Sequence, residues 1–458
     1  MFSIWYIRIK RKGQSQQFVI NHSATMPIID SKSEFFTVFT AVSALLPKLE
    51  TIGIIHNAIA TAYKGSWTGI MSAQGKKTII ELPLKVILTD AGTTFFINNK
   101  KTLKKFKLAD NVEEYGIFLD RFTLPSLQRL IMIDYVNKIE LATTEFLRIR
   151  QEVMDLTKLI TYSMLYRQFD SYVFQQVMAS ELIKNWNRKN PSNIIDEKTK
   201  INDQTLKTWL SSKYDELEAM QESILGPMHA FITKNTNLQP DEKNIQLLLS
   251  EKFLSNLRPF TWFVLSKFKD LDGYEELLKK LRTTLAEYME KAKLGEFLAL
   301  NVMELVTNAE NSNLKREAKA LFKGSVDINS VLFDPGIRRQ VMESLKQKGD
   351  VVYVSWRLGS RGASIGTQGK LTVTIYNKES QYEKMRETID EKKSADLKKK
   401  SLTDFYKELP QEEANTELGL YYLSYLSEAC EKVNVKFESF VNQVSGSDLT
   451  VITLVLNI

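Results

Sequence analysis

Glu304 and Asn308 stand four residues apart in a long run with helical apolar spacing. They therefore share one helix face, one turn from each other. A carboxylate in that position can orient or deprotonate a water. A carboxamide one turn on can complete the oxygen shell of a Mg²⁺ that also holds phosphates. The pair lies within Glu304-Leu305-Val306-Thr307-Asn308-Ala309, and its chemistry depends on which other groups the fold brings to it.

The elements that must position this pair can be read from periodicity and punctuation. The helical run containing it spans Tyr274 to about Phe322. Asp334-Pro335 opens a second helix through Lys348, with Asp at the N-cap and Pro at the first helical position. Val351–Trp356 and Leu371–Tyr376 read as strands joined by a glycine-rich hairpin loop over 359–369. Leu418 to Val433 reads as a helix, and Val435–Phe440 and Leu449–Leu456 as closing strands. Helix, helix, hairpin, helix, hairpin predicts helices packed on one face of a mixed sheet.

Upstream, the pattern changes twice. Residues 1–123 are mixed. Met1–Ile7 reads as a short strand, with Met26 as an alternative start. Ser31-Lys32-Ser33-Glu34 has the form of a capping box opening a helix to about Leu46. Strands are expected at Thr78–Leu82 and Leu84–Leu88. A hairpin turn at Thr89–Thr93 should lead to a third strand, Thr94–Ile97. Lys100, Lys101, Lys104, Lys105 and Lys107 form a basic run, read as a solvated face. Residues 124–273 are expected to be helical, with a linker near 187–204 and interruptions at Pro227, Pro240 and Pro259. The expected organisation is thus α+β: an N-terminal mixed α/β domain at 1–123, a helical region at 124–273, and an α/β sandwich at 274–458.

The motif and its order resemble the GHKL ATPase superfamily, which includes gyrase, histidine kinases and anti-sigma-factor kinases. The resemblance covers the C-terminal part only. It implies that Glu304 is the catalytic base and Asn308 the Mg²⁺ ligand, with ATP as the cofactor. The family's D-x-G-x-G box falls on Asn377-Lys378-Glu379-Ser380-Gln381, so Asn377 stands where Asp would bind adenine and Glu379 replaces a glycine. The G-x-G-x-G-L box falls on Asn415–Leu420. It keeps Gly419 and Leu420 but places Glu417 where phosphate oxygens would lie. Gly446-Ser447 keeps the terminal G-T turn with Ser447 as the hydroxyl. The lid between the boxes has no glycine from Lys370 to Leu418 and is expected to be largely helical. Two glutamates at glycine positions imply an eroded phosphate site, hence a regulatory protein that binds a partner or a nucleotide without efficient catalysis. The alternative is an active ATP-dependent kinase or ATPase.

Composition bounds the other classes. The chain has 458 residues, 43% hydrophobic and 26% charged, with a net charge of +7. Single Cys430 admits no internal disulfide and fits a reducing, cytoplasmic setting. No apolar run reaches the roughly 18 residues needed to span a bilayer. The apolar opening is followed, not preceded, by basic residues, unlike a secretory signal. Three scattered histidines supply no zinc site, and His229 lacks the acidic neighbour of a phosphoacceptor. The expected partners are another protein, or a second copy through the helical region. Neither a membrane nor nucleic acid is expected, because no aromatic-interleaved basic stripe accompanies the lysines.

Overall fold

The computed structural model describes residues 5–11, 14–20, 79–107, 113–197, 199, 201–359, 369–376, 397–402, 416–444 and 450–458. The chain divides into two compact units, Met1–Tyr63 and Lys64–Ile458. In the first, β1 (Trp5–Arg11) and β2 (Gln14–Ile20) form an antiparallel hairpin, in keeping with the strand expected at the start. The helix expected at 31–46 lies outside the described residues.

The second unit is built on one nine-stranded sheet. In chain order its strands are β4 (Leu84–Leu88), β5 (Lys104–Lys107), β6 (Glu113–Leu119), β8 (Val136–Thr143), β9 (Val352–Gly359), β10 (Lys370–Tyr376), β11 (Leu397–Ser401), β12 (Lys436–Val444) and β13 (Thr450–Asn457). Their spatial order is β11-β12-β13-β10-β9-β8-β4-β6-β5, and each pairing is antiparallel. The expected mixed sheet is therefore corrected to an antiparallel one. The two-residue strands β3 (Ile79–Ile80) and β7 (Phe122–Thr123) form a separate ladder.

The sheet runs across the domain boundaries expected from sequence. One interior strand, β8, lies inside the segment expected to be helical and joins β4 to β9. Alternation over 138–141 marks it as a strand: Ile139 and Leu141 enter the apolar core, while Lys138 and Glu140 point to the opposite face. Asp134, at φ 61°, ends the preceding helix, α2 (Leu124–Met132).

A second correction concerns Thr89–Ile97. The expected turn and strand are helix α1 (Asp90–Asn98). Thr89 is its N-cap, accepting from the Gly92 amide at 3.1 Å, and Asp90 sits in the first turn. Gly92 is required by close approach, since a Cβ there would lie 3.0 Å from Tyr135 Cα.

Between β8 and β9 come α3 (Arg150–Met178), α4 (Glu181–Lys189), α5 (Asp203–Ser212), α6 (Tyr214–Lys234), α7 (Pro240–Ser255), α8 (Pro259–Lys267), α9 (Tyr274–Phe322) and α10 (Pro335–Lys348). The expected linker corresponds to the non-helical stretch between α4 and α5. Pro240 and Pro259 begin helices, as their missing N–H permits. Pro227 does not interrupt; it lies inside α6. Asp334 caps α10 as expected, accepting from the Gly336 and Ile337 amides at 2.7 and 3.0 Å. The last helix, α11 (Thr416–Lys432), lies between β11 and β12. Within the expected helical lid, residues 397–401 are instead strand β11, recruited by the free edge of β12.

One core joins α3, α9 and α11 to the sheet. Leu159, Leu165, Leu298, Val302, Leu423 and Leu426 belong to the same buried cluster as Ile139, Val354, Trp356, Val373 and Leu454. Helices α3 and α9 run antiparallel. Gln176 donates to Thr284 at 2.9 Å near one end, and Tyr162 donates to Glu296 at 2.9 Å further along.

Candidate functional site

Glu304 and Asn308 are half-buried on α9, and Asn308 donates a hydrogen bond to the Glu304 carboxylate. Burial raises the Glu304 pKa above the ordinary glutamate value. The Asn308 bond and the nearby Arg150 guanidinium pull it back in part. A carboxyl so placed is a stronger base than one in water. Arg150 opens α3, and no motif in the sequence pointed to it.

Several element ends are tied to one another. Thr143, the last residue of β8, pairs with Val352, the first of β9; Tyr376, the last of β10, pairs with Tyr353. The start of α3 is tied to α9 by Glu310, whose carboxylate accepts from the Leu147 amide at 3.0 Å. Glu310 also pairs with Arg338 of α10. Only 2% exposed, Glu310 is pushed up by burial, against which the Leu147 and Phe146 amides and Arg338 act. Its spacing after Val306 and before Leu314 places a carboxylate on an apolar stripe. That is the signal from which its buried role could have been read.

Helix α11 approaches from the other side. Phe297 stacks on Tyr425 at 6.1 Å and 9°, and the Asn301 amide donates to the Tyr422 carbonyl at 2.8 Å. As the numbers rise on α9 they fall on α11, so the helices are antiparallel. One further turn along each brings the Glu304 segment to the first turn of α11, which contains Gly419 and Leu420. A helix N-terminus presents unpaired N–H groups and a partial positive charge, suited to an anion.

The remaining expected site residues can be placed only by backbone. Asn377 follows the last residue of β10, and Ser447 falls between β12 and β13; both lie outside the described residues, as does Glu379. The helical backbone of Glu417, Gly419 and Leu420 is described, but not their side-chain surroundings. Among the described residues no cluster of three His, Cys, Asp or Glu is set to hold a metal. A Mg²⁺ here would need phosphate oxygens in addition to Asn308. Among the described helices none is long and apolar enough to cross a membrane. His229 links two helices, with Nε2 3.0 Å from Ser250 Oγ of α7.

Residues 75–458 match a family of unknown function, DUF8084. The chain belongs to that family. An uncharacterized protein of Treponema pallidum (strain Nichols) is similar to it, at 41% identity over 385 residues, 84% of this chain and 99% of the relative. No solved structure matches the chain. The DUF8084 region contains the whole corner formed by α3, α9, β10 and α11, so any chemistry done there belongs to the region that defines the family.

Proposed function

We propose that this DUF8084 member is a cytoplasmic regulatory protein carrying a GHKL-like module that binds a protein partner or a nucleotide without efficient hydrolysis. The observation that carries this reading is the antiparallel packing of α9 on α11 through Phe297–Tyr425 and Asn301–Tyr422, which leads along both helices towards Glu304 and the α11 N-terminus. A phosphate chain placed there would meet helix N–H groups on one side and the Asn308 carboxamide on the other, the atom type a hard cation takes. The Asn308 carboxamide suits Mg²⁺ only as a ligand shared with those phosphates. By the resemblance, Glu379 and Glu417 stand at glycine positions of the phosphate boxes and would add negative charge there, which favours weak binding over turnover. The helical segment supplies surface for a partner or a second copy.

A working ATPase or kinase is the second reading, favoured by the raised pKa of Glu304, which suits a base acting on a water or hydroxyl. Calorimetric titration with Mg-ATP, on the wild type and on Asn308→Ala, tests both readings. The regulatory reading expects weak heat that Asn308→Ala abolishes, and no phosphate release. Micromolar affinity with phosphate release lost in Glu304→Gln would establish the second. No heat at millimolar Mg-ATP would remove nucleotide from both and leave partner binding alone.

A further inference from the structure

The sheet face turned away from the helices is closed at its centre and open at one end. At the centre Lys138, Glu140, Ser355 and Tyr376 are all buried. At the β4-β6-β5 end, Phe118 of β6 is 50% exposed, although it sits on a paired, non-edge strand. Its register explains which neighbours it has. Phe118 pairs with Lys85 of β4, and Lys104 pairs with Gly116 two residues away on the same face. Phe106, also on this face, packs edge-on against Phe118 at 5.6 Å and 80°. Gly116 makes room for it, since a Cβ there would lie 2.9 Å from Phe106 Cε2.

The cations are arranged around these rings. Lys104 Nζ lies 5.2 Å from the Phe118 centroid and Lys85 Nζ 4.3 Å from that of Phe106. Lys100 and Lys101 are exposed in the turn leading into β5. The acids of this face are already matched inside the sheet. Glu140 pairs with Lys85 and Lys138 at 2.9 and 2.8 Å, and Glu114 approaches Lys138 at 3.7 Å. Glu113 pairs with Lys105 on the other face. What these strands turn to solvent on this face is therefore aromatic and positive, with the Asp120 carboxylate exposed just beyond the end of β6.

In sequence the basic run reads as a solvated face, with Phe106 as its one ring. The fold changes this by bringing Phe118 from β6 against Lys104 of β5. We propose that this open strand face, centred on Phe118 and Phe106 and flanked by Lys104, with Lys100 and Lys101 exposed in the turn before β5, binds single-stranded nucleic acid. A base stacks on the exposed Phe118 ring while the lysines neutralise its phosphates, the combination by which sheet faces hold unpaired strands. A folded duplex cannot offer a base face to Phe118, which sets the preference for single strands.

Fluorescence anisotropy of the full chain with a labelled twelve-nucleotide oligothymidylate tests the inference. Binding should weaken steeply with salt. Phe118→Ala should lose roughly tenfold in affinity with an unchanged salt slope. Lys104→Gln should lower the slope by about one. Circular dichroism melts of both variants confirm that they fold. No binding at low salt would overturn the proposal, as would equal affinity for a duplex of the same length. So would equal displacement by polyglutamate, or a Phe118→Ala affinity like that of wild type. Retained oligonucleotide binding in Asn308→Ala keeps this site distinct from the nucleotide corner.

Discussion

Arg282 of α9 donates its Nε–H to the carbonyl of Ser223 at 3.0 Å, and Ser223 lies four residues before Pro227 in α6. Pro227 has no N–H to give that carbonyl, so the neighbouring helix supplies the missing donor. This is why α6 continues through a proline that the sequence reading took as a break.

The repair predicts a coupled pair. Arg282→Met should cost about 1–2 kcal/mol, because the Ser223 carbonyl is left half-buried without its donor. In a Pro227→Ala background the helix makes its own bond to Ser223, and the same substitution should cost distinctly less. Urea unfolding of the four proteins completes the cycle. Strictly additive costs would show that Arg282 acts on something other than the proline's vacancy.

Pro227 also illustrates what was legible in the chain. The expected bounds of α9, α10, β9 and β10 lie within a few residues of the observed ones. Their cues are local: a cap at Asp334, helical spacing after Tyr274, alternation over Leu371–Tyr376. The misses depended on partners distant in sequence. Strand β8 needs β4 and β9, over two hundred residues apart, to make Lys138 and Glu140 a strand face and not a helix turn. Strand β11 needs the edge of β12. Helix α1 was misread because Thr89 and Asp90 serve a turn and an N-cap equally well, and only packing against Tyr135 decides between them. At the candidate site the sequence pointed to Glu304 and Asn308 but not to Arg150 or Glu310, which reach the corner through tertiary packing.

The buried Glu140 should carry an acid-sensitive share of the stability. Burial alone would raise its pKa. The charges of Lys138 and Lys85, with hydrogen bonds from Lys138 and Tyr353, outweigh burial and hold it at about 2. A depressed carboxyl stabilises the fold above its unfolded pKa, near 4.5, and that contribution is lost as pH falls towards 2. Glu140→Gln should cost about 3–5 kcal/mol at neutral pH, since Lys138, 1% exposed, loses its nearest counter-charge. Its stability should also change less than that of wild type between pH 4.5 and 2. Denaturant melts across that range would count against the ion network if the two proteins ran parallel.

Asp155 on α3 predicts the opposite slope. Burial raises its pKa to about 6, although Gln151 donates to it at 2.9 Å and Lys158 lies near. The folded state then holds a proton that the unfolded chain releases near 3.8, so stability falls as pH rises from about 4 to 6. Asp155→Asn keeps the shape without the charge. It should be more stable than wild type by about 1–3 kcal/mol above pH 6.5 and nearly equal to it below pH 4. A constant difference at all pH values would mean that the titration is not the cause.

Two tyrosines one turn apart on α3 should respond with opposite sign to the same chemical change. The Tyr162 hydroxyl donates to Glu296 at 2.9 Å, whereas the Tyr166 hydroxyl is buried with no hydrogen-bond partner among the described residues. Tyr166 keeps its place through ring contact, edge-on to Phe253 at 4.7 Å and 77°. Removing a bonded hydroxyl loses the bond; removing an unbonded buried one relieves a desolvation cost. Tyr162→Phe should therefore lower stability by about 1 kcal/mol, and Tyr166→Phe should raise it by a similar amount, with Tm moving in opposite directions. If both variants melted lower, the Tyr166 hydroxyl would have to be bonded in solution.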